Sequence, residues 1–187
     1  MSKLLPVLAV SVLGLCGVAC TDDDKTPVSA APGAALKCTS SGKDAFDTYG
    51  ASAFVAVNEA IVANVFAELG ANGTANLGDS FSKIGTGVPP STIDPAATFK
   101  GKLAAFLVYA YGGPTSITYT DGVTYSGLQD MTTAHAGLAI TASQYSYFVS
   151  NMVVPALTSS GVSSADVTSC FAPVVSDPTF MASIVGK

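Results

Sequence analysis

From Gly50 onward the apolar positions fall at Phe54, Val57, Ile61, Val65, Phe66 and Leu69, three or four residues apart, which draws one stripe along a helix. Gly70 and the polar run ANGTANLG end it. Phe81 lies in a short loop-like stretch, and GTGVPPSTIDP reads only as a connection. A second stripe, Phe99, Leu103, Phe106, Leu107 and Ala110, predicts a helix from about Pro95 to Tyr111. Gly112, Gly113 and Pro114 stop it, because two glycines and a proline cannot continue a helix cheaply. Between Thr115 and Gln129, β-branched and aromatic residues alternate around Asp121-Gly122, a pattern that also suits a small hairpin. Further on, Gly137 suits a left-handed helix stop, and Thr141 with Gln144 forms a capping box. The helix so started buries Tyr145, Phe148, Val149, Met152, Val153 and Leu157, with a kink expected at Pro155. Ser163 caps a helix carrying Val167, Cys170, Phe171, Val174 and Val175, and Phe180 to Val185 form a short apolar tail. The predicted fold class is all-α, with helices packed as a sandwich.

The first residues have another pattern. Lys3 precedes an apolar run, Leu4 to Leu15, and small residues come after it, as in a secretory signal. The run is too short for a comfortable membrane span. Val18 and Ala19 before Cys20, with TDDDK after it, resemble the lipobox of bacterial lipoproteins, although Gly17 stands where that family usually has Leu. The resemblance implies cleavage before Cys20 and lipidation of that cysteine. An ordinary secretory signal cut near Ala19 is the other reading. Either implies export, to the periplasm or cell envelope. The expected organisation is a signal peptide over 1–19, a lipidated Cys20 and flexible Asp-, Pro-, Ala- and Ser-rich spacer over 20–36, and one domain over 37–187.

Composition narrows the partners. The chain is 49% hydrophobic and 11% charged, so a sizeable core is available. Eight Lys and no Arg stand against thirteen Asp and Glu, and the net charge of −5 argues against nucleic acid or an anionic membrane surface. Membrane association is expected through the lipid alone. With Cys16 in the signal and Cys20 at the lipobox, Cys38 and Cys170 remain in an oxidising compartment. They form a disulfide or stay as two buried thiols.

His135 is the one histidine of the chain. In its segment, LQDMTTAHAGLAITASQY, the succession Met131, His135, Gly137, Ile140 and Thr141 resembles the proximal-histidine segment of the truncated haemoglobins, group 1 type. FKGKLAAFLVYAYGGP (Phe99 to Pro114) resembles a second part of that family, and DAFDTYGASAF its opening, where a turn with Gly leads into a helix. The likeness spans about Asp44 to Val185. It implies a two-over-two helical sandwich, with an irregular loop and short helix around Tyr125, Ser126, Gly127 and Met131. It also implies non-covalently bound haem b, iron coordinated by His135, a propionate contact from Lys102, and a pocket lined by Val62, Phe81, Phe99, Leu103, Phe106, Leu107, Met131, Ile140 and Phe148. Lys100 is expected to face solvent.

The haem chemistry needs a neutral imidazole, oriented by a bond from its other ring nitrogen. There is no Cys-x-x-Cys-His for covalent attachment. On the distal side the resemblance places Val62 and Leu103 where relatives carry a Tyr and a Gln, with Phe99 beside them. All three are apolar, so weak retention of oxygen is expected, and relatively better binding of carbon monoxide or nitric oxide. The expected function is binding of a diatomic gas. Nitric oxide dioxygenation, known among relatives, needs bound oxygen and an electron donor whose identity the sequence leaves open. The alternative is a haem-free helical surface lipoprotein that binds a partner. No nucleophile motif accompanies His135, so hydrolytic chemistry is poorly supported.

Overall fold

Asp44 starts the longest helix, its carboxylate accepting the Asp47 N–H at 2.7 Å. In the computed structural model, which describes residues 31–83 and 96–187, this helix, α1, runs Ala45–Asn72. The signal segment, Cys20, most of the spacer and the GTGVPPSTIDP connection lie outside the described residues. Gly50 interrupts α1 with φ 76°, which only glycine adopts without penalty, so the chain turns there before the long helical run. The run buries Phe54, Val57, Ile61, Val62 and Val65. It passes the expected stop at Gly70 and ends where Gly73, at φ 57°, donates its N–H to the Leu69 carbonyl. A glycine inside a helix costs only about 1 kcal/mol. By length and composition alone α1 would pass for a membrane-crossing helix, but Phe54, Val57, Ile61, Val62 and Val65 pack into the core, leaving Phe66 exposed.

Helix α2 (Ala96–Ala110) lies against α1 and presents Ala104, Ala105 and Val108, all fully buried. After it the chain reverses at Gly112, with φ 103°. Gly113 has no room for a side chain: a Cβ there would sit 2.6 Å from both Phe46 and Val108. The next segment contains a sheet, so the fold is mostly helical rather than all-α. Strands β1 (Ser116–Thr118) and β2 (Thr124–Ser126) pair antiparallel, Ile117 opposite Tyr125, around the Asp121-Gly122 turn. The hairpin alternation thus takes precedence over the irregular loop implied by the family likeness. Its physical anchor is α2, where Gly101 leaves the space that the Tyr125 ring fills.

Next come α3 (Met131–His135) and two helical arms of matching construction. The first is α4 (Ala142–Phe148), a π turn (Val149–Val153) and α5 (Val154–Ser159). Thr141 and Gln144 form the expected capping box at its start. The second is α6 (Ser164–Asp166), capped by Ser163, a π turn (Val167–Phe171) and α7 (Ala172–Val175). Each π turn precedes a proline, Pro155 or Pro173, in the second position of the adjoining helix. Ahead of Pro155 the helix widens by one residue, which accommodates the missing N–H. Donors from neighbouring elements reach the carbonyls there: Asn64 Nδ2 donates to Met152 O at 3.0 Å, and Tyr111 OH to Phe171 O at 3.2 Å.

A final short helix, α8 (Pro178–Ala182), is capped by Asp177. The centre of the core is aromatic, with Phe54, Tyr111 and Phe171 in mutual ring contact at 4.9–6.1 Å. Beside it, Cys38 and Cys170 form a disulfide across 132 residues. Gly33, within the expected spacer, is buried and donates its N–H to the Ala110 carbonyl.

Candidate metal centre at His135

Asp130 fixes the start of the short helix that carries the histidine. Its carboxylate accepts the Thr132 and Thr133 N–H groups and the Thr133 hydroxyl. Four residues along from Met131, His135 Nδ1 lies 2.8 Å from the Met131 carbonyl. A carbonyl can only accept, so Nδ1 carries the proton and the Nε2 lone pair is available as a ligand. Burial of the ring lowers the pKa below the ordinary 6.5, outweighing the Met131 bond, which works the other way. The side chain is therefore neutral at neutral pH. Among the described residues, Nε2 has no hydrogen-bond partner.

The residues expected to line a haem fall into separate contacts. Phe81 stacks on Phe148 at 5.4 Å and meets Phe99 edge-on at 6.3 Å, which joins three separate elements. Phe106 stacks on Phe180 of α8 at 5.9 Å. Leu103, Phe106, Leu107, Phe81 and Phe148 pack against the core while remaining half-buried. Phe99, Met131 and Ile140 are half-buried too, Val62 is buried, and Lys102 is exposed. Two cavities bounded by described residues lie elsewhere. One is beside Tyr49 and Phe171, and the other lies between the two π turns; neither touches His135.

Lys100 departs from expectation. Rather than facing solvent it is half-buried and pairs with Glu59 at 2.6 Å. Glu59 also accepts a short hydrogen bond from Tyr119 OH of the hairpin. Asn58, fully buried, donates to both Lys100 O and Tyr119 OH at 3.1 Å. Sequence reasoning passed over this polar knot, although an Asn one turn before Val62, at core spacing, was a readable signal. Both Nδ2 protons are engaged, so Asn58 adds no free donor on that side of α1.

Another grouping of metal-type donors, Cys38, Asp166 and Cys170, has its sulfurs joined to each other. Asp166 serves the fold: it accepts from Ser40 N at 2.9 Å and from Tyr49 OH at 2.6 Å, and hydrogen bonds from Ser40 and Tyr49 hold its carboxyl at about 2.

No family model, curated protein or solved structure matches this chain.

The donor chemistry at His135 is that of an imidazole metal ligand. An iron ligand must be a neutral imidazole with one nitrogen free and the other tied to an oriented acceptor. His135 and Met131 supply that arrangement.

Proposed function

We propose that the chain is an exported, lipid-anchored haem protein of truncated-globin type that binds a diatomic gas. The observation that carries this reading is the His135 imidazole, neutral, oriented by the Met131 carbonyl and presenting Nε2. The half-burial of eight apolar side chains, Phe81, Phe99, Leu103, Phe106, Leu107, Met131, Ile140 and Phe148, supports it, because they retain apolar surface for a flat apolar guest.

When bound, haem would supply an iron able to take up oxygen, nitric oxide or carbon monoxide, held by His135. His135 provides the protein ligand, and the Met131 carbonyl fixes its tautomer and ring plane. Val62, Phe99 and Leu103 exclude water and offer no proton to a bound gas, so the pocket favours ligands that need no hydrogen bond. Lys102, exposed on α2, is the cation for a propionate. Cys20 carries the lipid that ties the domain to the membrane.

Adding haemin to the purified mature protein tests the reading. A strong blue-edge absorption band is expected, and His135→Ala should bleach it or shift it strongly. If the haemin spectrum is unchanged by wild-type protein and no haemin stays with the protein through gel filtration, the haem reading fails. A haem-free surface lipoprotein then takes its place, with the exposed Phe66, Val123, Leu128 and Val154 as its contact residues.

A further inference from the structure

A five-residue helix cannot hold itself together, because nucleation is unfavourable and it closes too few hydrogen bonds. Helix α3, which carries His135, must therefore be held at both ends. Asp130 holds the first. At the second, the His135 carbonyl accepts the Leu138 N–H at 3.1 Å, and Gly137 turns left-handed at φ 78°. Ala139 is left-handed as well, at φ 51°, the one non-glycine residue with positive φ among the described residues. An alanine pays a steric penalty in that conformation and keeps it only when its surroundings impose it.

The surroundings are the last residues of the chain. Ala139 N–H donates to the Lys187 carbonyl at 2.8 Å, and Gly186 N–H donates to the Ile140 carbonyl at 2.9 Å. These two bonds bracket the strained residue. The tail is in turn fixed to the body of the domain: Ile184 is buried, Val185 N–H reaches the Met181 carbonyl at 2.9 Å, and Phe180 stacks on Phe106 of α2. A continuous path thus runs from α2 through α8 and the tail to the loop directly after His135.

We propose that residues 184–187 are a positioning latch for His135. The tail holds Ala139 left-handed, and this fixes the end of α3 and so the exposure and direction of the imidazole. Tail release would let Ala139 relax to an ordinary conformation and free the histidine. The inference rests on His135 as the functional group, but not on haem.

Because His135 is the one histidine, its reaction with diethylpyrocarbonate reports on that ring alone through the absorbance of the modified imidazole. In haem-free protein, deleting residues 186–187 should speed the reaction about fivefold or more, the factor set by the left-handed penalty of a non-glycine residue. Gly186→Pro, which removes the donor to Ile140 and cannot adopt the φ of 72° held by Gly186, keeps the chain length and should act in the same direction. Adding Ala139→Gly to the deletion should bring the rate back toward wild type, since glycine occupies that conformation without the tail. Circular dichroism confirms that each variant is folded. A folded deletion variant reacting at the wild-type rate overturns the latch, as does an Ala139→Gly variant that restores nothing. Transfer of haemin to a scavenger protein should also quicken in the deletion variant. Failure of wild type to take up haemin defeats the haem reading alone and leaves the reactivity result standing.

Discussion

The Nδ1 atom of His135 and the carbonyl oxygen of Met131 stand 2.8 Å apart across one turn of α3. The bond fixes which nitrogen carries the proton, and burial keeps the ring from taking up a second one.

The same burial makes stability depend on pH. The folded pKa lies below 6.5, so on acidification the unfolded chain takes up its proton first. Stability should fall as pH drops from about 7.5 to 5.5, the range in which an ordinary histidine titrates. Urea midpoints of haem-free protein should track that slope in wild type and be flatter in His135→Gln. The lowered pKa of Glu59 contributes stability above 4.5 that is lost only as pH falls below that value, outside this window.

The tyrosines give an alkaline counterpart. Burial, aided by the Glu59 carboxylate, pushes Tyr119 up to about 12. Burial alone takes Tyr145 to about 12, and it lifts Tyr111 further. Tyr49 and Tyr147 are raised too, so an ultraviolet titration of the native protein should show these five of the seven tyrosines ionising late, and all seven titrating near 10 once urea is present. A raised pKa for an acid means stability is lost as pH rises past 10, where the unfolded tyrosines give up protons that the folded ones keep. Tyr119→Phe should cost about 1–3 kcal/mol at neutral pH, since Asn58 and Glu59 each lose a partner.

Cys38 and Cys170 close a loop of 132 residues. The double variant Cys38→Ser, Cys170→Ser should lose up to about 5 kcal/mol, the chain-entropy value for a loop of that length. Chemical denaturation of the two proteins measures the difference, and an unchanged midpoint would assign the bond no role in stability.

Leu103→Gln tests the donor-poor pocket. A side-chain amide on that face of α2 should slow oxygen release about fivefold, the effect of one added hydrogen bond of roughly 1 kcal/mol. Stopped-flow displacement of oxygen by carbon monoxide reads the rate. Equal rates in wild type and variant would place Leu103 away from the gas.

Hydrophobic spacing located the helices but not every buried face. Helix α2 turns Gly101, Ala104, Ala105 and Val108 inward, the expected Phe99, Leu103, Phe106 and Leu107 stay half-buried, and Phe66 of α1 is exposed. The α1 pattern of Phe54, Val57, Ile61 and Val65 is the buried face observed. Local chemistry made Asp121-Gly122, Thr141-Gln144 and Ser163 readable, since turns and caps depend on neighbours in sequence. Contacts between distant segments were not readable in this way. The Lys100–Glu59 pair and the Tyr119 anchor join elements about 40 to 60 residues apart. No periodicity registers such a contact. The π turns escaped for a related reason. Pro155 alone signals a defect, but whether the helix bends or widens depends on donors such as Asn64 that approach from another element.

Those widened turns have a practical consequence. Each represents one residue more than a regular helix would hold, placed just ahead of a proline. Removing one residue inside either turn would return that arm to a regular helix with its flanks still in register, whereas the same cut elsewhere in the arm would rotate everything before it by about 100°. On the first arm that swings Tyr145 and Phe148 off their present neighbours. Length is therefore under constraint on either side of the turns, while a one-residue deletion within a turn should be the length change that each arm tolerates best.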